Sequence, residues 1–365
     1  MPTKSRAAIL VESRKPLVVD EVTFPDPAPD QVLVKLFASG ICHSQLHQIH
    51  RTPEEQRSKL PALLGHESTG VVVAKGRDVT HVNEGDRVFT TWVDRNAPES
   101  PLPPVSHALN MRPPIPATWR EESIWASAST WAEHLVASER VVLPMDDDVD
   151  TEVTSIIGCA VTTGSGAIIN TLKVRPGQSV AVYGVGGIGM CAVSAAAVMD
   201  AYPLIAVDLD DEKLEFAKGF GATHCINASK VDPVEAITEL TGGGADYALD
   251  AVGHPTTQEQ ILRSVRTGAP GLERGGTALL IGLPPSGATP LINTNLFAGG
   301  RYFTRTHAGD CLPDRDFPTF VRWYREGKLK LDDLVTRRYT LDQVNEAVAD
   351  LGDGKILGRA IFTYA

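Results

Sequence analysis

Cysteine is scarce in this 365-residue chain, and the five present (Cys42, Cys159, Cys191, Cys225 and Cys311) are scattered. No two lie close together, which argues against a disulfide scaffold and a Cys-x-x-Cys zinc ribbon. A lone cysteine in a reducing compartment is usually a small buried hydrophobe. Runs of Lys or Arg are also missing and the net charge is −11, so nucleic acid and anionic membrane are poor partners. The opening segment MPTKSRAAILVESRKP lacks the apolar stretch of a signal peptide. A long uncharged run, 176–199, holds Gly184, Gly186, Gly187 and Gly189 after a strand-like segment. A buried strand–turn–helix explains it better than a membrane span, and a cytoplasmic protein is expected. What is present in quantity is apolar side chain, 42% of residues, enough for two domains at this length.

The chain changes character near residue 160. Before it, short β-type runs such as QVLVKLFAS, TGVVVA and DRVFTTW are separated by Pro and Gly clusters. That texture predicts an irregular, mostly β domain. From about 163 to 300, short apolar runs alternate with helical stretches, as in SVAVYG, LIAVDL, DYALDAV and TALLIG. This is the pattern of a doubly wound parallel sheet with strands buried on both faces. After about 310 come two helical stretches and a last strand, RAIFTY. The expected fold is α/β, with residues 161–304 forming the doubly wound domain between two parts of the other, 1–160 and 305–365. Within the latter, 94–130 is an atypical Pro-rich lobe with little periodicity.

Gly184-Val185-Gly186-Gly187-Ile188-Gly189 fits G-x-G-x-x-G between a strand and an Ala-rich helix. Gly184 makes the turn, Gly186 lets backbone approach a pyrophosphate, and Gly189 permits close helix–strand packing. Gly187 and Ile188 open the helix, whose N-terminus offers free N–H groups to phosphate. Asp208 ends the next strand, 19 residues past Gly189, where it can accept from both adenosine ribose hydroxyls. With Asp210 and Asp211 following and no Arg nearby, NAD is expected over NADP. Lys213 is either a ribose contact or a solvated helix lysine.

Cys42, His66 and Cys159 each sit close to a glycine, 24 and 93 positions apart. A Cys₂His set with an open fourth position suits catalytic zinc, whose charge two thiolates cancel. Spacing alone leaves open whether they form one ligand set or are buried thiols and a core histidine.

Taken together, these segments resemble the zinc-dependent alcohol dehydrogenases of the medium-chain dehydrogenase/reductase superfamily over nearly the whole chain. The matching segments are GICHSQLH, LLGHESTGVV, GCAVTTG, GVGGIG with VDLDDEKLEFAKGFGATH, and KILGRAIFTY. The resemblance implies a Rossmann domain that binds NAD and a GroES-like catalytic domain. It places Cys42, His66 and Cys159 on the catalytic zinc ligands and Glu67 on the acid beside the metal. Ser44 falls on the hydroxyl that receives the substrate proton and His47 on the far end of that relay. His43 and Arg359 fall near the pyrophosphate, Thr163 near the nicotinamide, and Trp92 in the substrate pocket. GDCLPDRDFP at 309–318 further resembles the mycothiol-dependent formaldehyde and aryl-alcohol dehydrogenase branch.

Two departures stand out. The family's structural zinc needs four closely spaced cysteines, and residues 94–130 contain none, so one zinc per chain is expected. Gln45 replaces the Asp that orients the zinc-bound histidine. Its carbonyl can accept from His66 without adding charge, leaving a less basic ligand and a more electrophilic metal. Trp92, Trp119, Trp125 and Trp131 would favour an apolar or aromatic alcohol if they line a pocket, but the last three also suit the lobe's core. A homodimer through the segment 283–297 is the family default. Two rival readings are a zinc-free reductase on the same fold and a non-catalytic dinucleotide-binding redox sensor. The first leaves Cys42, His66 and Cys159 without a role, and the second leaves Ser44 and His47 without one.

Overall fold

The computed structural model describes residues 2–56, 59–95, 115–126, 129–269, 273–285 and 287–365. The chain forms two compact units, one of residues 1–159, 312–321 and 331–365, the other of 160–311 and 322–330. Among the described residues no helix is long and apolar enough to cross a membrane.

The first unit holds a closed barrel and a seven-stranded sheet. In that sheet Gln31–Ile41 runs antiparallel to Ser68–Lys75 on one side and to Arg359–Thr363 on the other. Its side chains alternate as a strand dictates: Val32, Val34 and Leu36 enter one core cluster while Leu33 enters another. Register then gathers one end of the sheet. Ile41 pairs with Ala360, Ser39 with Ser68, and Ser68 with Thr90. Cys42, Arg359, the His66–Glu67 pair and the Thr90–Trp92 stretch therefore emerge at the same edge.

The Pro-rich stretch contains more regular structure than its composition suggests. Ile115–Trp119 and Glu122–Ala126 form an antiparallel hairpin that completes the barrel. Its two turn residues, Arg120 and Glu121, both have positive φ. That geometry normally advertises itself with Asn-Gly or Asp-Gly, so the turn left no trace in the sequence. Residues 96–114, 127 and 128 of the expected lobe lie outside the described residues.

The second unit is a six-stranded, wholly parallel sheet. Numbered from Val180–Tyr183, its strands follow the order 3-2-1-4-5-6, the arrangement of a doubly wound dinucleotide fold. Helices Gly187–Val198, Asp211–Gly219, Pro233–Thr241 and Pro255–Ser264 connect the strands. Their starts follow local chemistry: Asp210 and Asp232 cap two of them, and Pro233 and Pro255 occupy the first turn.

Candidate metal and dinucleotide sites

Three elements carry the thiol–imidazole cluster. Cys42 caps the helix His43–His50, His66 precedes the strand Ser68–Lys75, and Cys159 follows the 3₁₀ turn Val153–Gly158. Gly65 has φ +100, and a Cβ there would stand 2.3 Å from Thr130 Oγ1 and 2.6 Å from the Trp131 backbone nitrogen. Only glycine fits, which pins the next residue, His66. Thr91 Oγ1 donates to the Gly158 carbonyl at 2.6 Å, tying down the segment before Cys159. The result is that one ligand atom from each of Cys42, His66 and Cys159 lies within 4.8 Å of the others, all three residues buried.

Charge follows from this packing. A hydrogen bond from Cys159, then one from His66, holds the Cys42 thiol well below its usual value. Cys159 is pushed well above its own by donating to Cys42. Burial opposes protonation of His66, but the hydrogen bond and charge of Cys42 and the charge of Glu67 outweigh it and raise its pKa. Two sulfurs and an imidazole held this close together are the soft donor set that suits a zinc ion.

Around the cluster, Gln45 places its amide nitrogen, not its carbonyl, 2.6 Å from His66 Nδ1. Glu67 is fully buried and ion-pairs with Arg359. Ser44 is half-buried and donates to Gln45 Oε1 at 3.4 Å. His47 is half-buried and His43 exposed. Burial, opposed by the charge of Cys42, lowers the His47 pKa.

In the second unit the glycine turn has its expected geometry. Gly184 has φ +84, and a Cβ on Gly189 would lie 1.9 Å from the Gly184 carbonyl oxygen. Asp208 reaches back to the turn: its carboxylate accepts from Val185 N at 2.9 Å, Leu209 N at 2.8 Å and Asp210 N at 3.3 Å. Gly186, Gly187 and Ile188 are half-buried beside it, as is Lys213, while Thr163 is buried on the helix Ala160–Gly166.

Comparison with known proteins bears on both units. The alcohol dehydrogenase GroES-like domain family matches residues 28–147, and the zinc-binding dehydrogenase family matches 187–326. The chain is 32% identical to the class-3 alcohol dehydrogenase of Cereibacter sphaeroides, over 94% of this chain and 95% of that one. It is 31% identical to the S-(hydroxymethyl)glutathione dehydrogenase of Paracoccus denitrificans, covering 99% and 100%. The benzyl alcohol dehydrogenase structure from Acinetobacter calcoaceticus superimposes with a TM-score of 0.86 at 30% identity, covering 100% of both chains. The chain belongs to the zinc-dependent alcohol dehydrogenases of the medium-chain dehydrogenase/reductase superfamily.

For a member of this alcohol dehydrogenase family, several contacts could not be read in advance. The guanidinium of Arg359, expected at the pyrophosphate, is 5% exposed and engaged with Glu67. The two residues are 292 positions apart, and the pairings of Ala360 with Ile41 and of Ser68 with Ser39 bring them together. The three acids after the second strand divide their work. Asp210 caps its helix by accepting from Glu212 N, and Asp211 is taken up by Lys230 at 2.5 Å and Asn227 at 2.7 Å. Those two hydrogen bonds lower the Asp211 pKa. Asp208 alone turns its carboxylate to the glycine turn. Among the tryptophans, Trp131 is core: it packs edge-on against Phe362 at 5.1 Å and donates to the Gly40 carbonyl. Trp119 donates to Asp20 at 2.8 Å. Trp125 and Trp92 are half-buried.

Proposed function

We propose that the chain oxidises an alcohol to the aldehyde or ketone with NAD as hydride acceptor and one zinc ion per chain, and runs the reverse reduction. The observation that carries this reading is the buried Cys42–His66–Cys159 cluster within 4.8 Å, in a chain with the family's full-length likeness. Cys42, His66 and Cys159 would hold the metal, their two thiolates matching its charge and their number leaving a position for substrate. A zinc ion held there would supply Lewis-acid chemistry, lowering the pKa of the alcohol or polarising the carbonyl in reverse, and NAD would supply the hydride chemistry. Ser44 accepts the proton the alcohol loses, and His47 passes it to solvent. A histidine with a depressed pKa is neutral at pH 7 and free to accept. Glu67 supplies negative charge beside the ligands, and Arg359, ion-paired with it, balances that charge.

The glycine turn and helix N-terminus receive the pyrophosphate, with His43 beside it and Thr163 at the nicotinamide. Asp208 accepts from the adenosine ribose, with Lys213 alongside, and repels a 2′-phosphate. NAD is preferred on that basis.

Trp92, following the strand Arg87–Thr90, would line the substrate pocket and favour an apolar or aromatic alcohol. The likeness to a benzyl alcohol dehydrogenase supports this choice. The segment 309–318 and the likeness to S-(hydroxymethyl)glutathione dehydrogenases support a thiol adduct as the second reading. A homodimer would form along the edge strand Tyr302–Arg305, beside a segment exposing Leu283, Phe297 and Leu291, the last at 80%. The test is a screen of benzyl and aliphatic alcohols and hydroxymethyl thiol adducts with NAD or NADP, followed by near-UV absorbance. NAD reduction by aromatic alcohols is expected. Turnover only with thiol adducts would favour the second reading, and no turnover with any alcohol or thiol adduct would contradict both.

A further inference from the structure

Gln45 stands where the family resemblance calls for a carboxylate, and it is buried at the heart of the cluster, 3% exposed. At its root, its backbone N–H donates to the Cys42 carbonyl at 3.0 Å. At its tip, Nε2 lies 2.6 Å from His66 Nδ1, and Oε1 accepts from Ser44 Oγ at 3.4 Å. One side chain thus touches a ligand imidazole and the hydroxyl assigned to proton transfer.

We propose that Gln45 is a positioning residue for both: a single neutral amide orients the His66 ring and the Ser44 hydroxyl together. This rests on the zinc reading above. An amide carries a donor and an acceptor in one plane. A histidine that ligates through Nε2 carries its hydrogen on Nδ1, which needs an acceptor. A half turn of the Gln45 amide presents Oε1 to Nδ1–H and Nε2 to Ser44 Oγ, so both contacts persist with their directions reversed. In that sense Ser44 accepts from Gln45, and its own hydrogen points away from Gln45, onward along the relay. A carboxylate at the same place accepts from both neighbours and donates to neither. It would strengthen His66 as a ligand and draw the Ser44 hydrogen back toward itself. The amide gives up charge on the metal side and gains direction on the relay side.

The experiment compares the zinc-loaded full chain with Gln45→Met, Gln45→Glu and Ser44→Ala, each checked for native circular dichroism. Zinc release to a chelator is timed first. Gln45→Met should lose zinc about 10–100-fold faster, Gln45→Glu should hold it at least as long as the parent, and Ser44→Ala should match the parent. Alcohol oxidation is then measured with zinc in excess. Gln45→Glu should lose about 10-fold in kcat at unchanged alcohol KM, a part of the roughly 10²–10⁴-fold a positioned acid–base group supplies. Parental zinc retention in Gln45→Met overturns the His66 half of the proposal, and parental kcat in Gln45→Glu overturns the Ser44 half. If Gln45→Met does not fold, faster zinc loss from Gln45→Glu than from the parent overturns the His66 half. A parent chain that binds no zinc overturns the functional reading itself, and this proposal with it.

Discussion

Six consecutive residues build the glycine turn at 184–189, whereas the Cys42–His66–Cys159 cluster draws on positions 24 and 93 residues apart. The turn is made of backbone. Its glycines remove side chains where the chain must bend and where helix meets strand, and a short strand and an apolar helix on either side complete it. The cluster is made of side chains that no local rule brings together. It exists because Gln31–Ile41, Ser68–Lys75 and the preceding turn of Cys159 reach the same end of one sheet. A local motif declares its own geometry, while a dispersed one borrows geometry from the whole domain.

That contrast can be broken most sharply at the dispersed site. Cys159→Ala should remove bound zinc and lower alcohol oxidation by about 10³-fold or more, since the metal supplies several kcal/mol of charge stabilisation and about 1.4 kcal/mol is tenfold. Retention of both zinc and full turnover would show that the three residues are not one ligand set. The NAD affinity of the same variant, read by fluorescence titration, should stay near that of the parent.

His47 gives the next largest effect. Its pKa is lowered, chiefly by burial, so it remains neutral and able to accept a proton somewhat below the ordinary histidine range. Alcohol oxidation should therefore fall only as pH drops through that lowered value, because protonation removes the acceptor. His47→Gln should cost about 10²-fold in kcat and flatten that acid limb. An unchanged pH profile would remove His47 from the relay.

At the contiguous site the effects are smaller. Asp208→Ala should lower kcat/KM for NAD about 10–100-fold, matching the roughly 1.5–3 kcal/mol of a hydrogen bond to a charged group, and should raise acceptance of NADP. Asp211→Asn should leave the NAD-to-NADP ratio nearly unchanged, because Lys230 already occupies that carboxylate. If Asp211→Asn moved the ratio as far as Asp208→Ala, the acids would act as a group rather than through Asp208. Gly189→Ala should destabilise the second unit by about 1–3 kcal/mol, seen as a lower Tm, since the added Cβ meets the Gly184 carbonyl oxygen. An unchanged Tm would mean the helix can shift without cost.

How far the sequence could be read follows the same division. The parallel sheet, its helices and the Asp208 position were legible because each is encoded within about 20 residues. Cys42, His66 and Cys159 were visible as single residues but became a set only through family resemblance, and then through the common end of the sheet that gathers them. The Glu67–Arg359 pair was not foreseen, since two residues 292 positions apart, joined only through strand register, leave no local sign. The hairpin ending in Trp119 and Glu122 was missed for the opposite reason. Its turn is local, but Arg120 and Glu121 adopt positive φ without the glycine or asparagine that usually reveals it. Trp131 illustrates a third case: an aromatic beside an irregular stretch turned out to be core against Phe362.

The scarcity of cysteine returns as the most direct handle on all of this. Two of the five serve the cluster, and residues 94–130 hold none for a second site. Elemental analysis of the purified full chain should find one zinc per chain, removed by Cys159→Ala. No zinc in the parent chain would contradict the assignment of Cys42, His66 and Cys159, and two would contradict the reading of a single, catalytic metal.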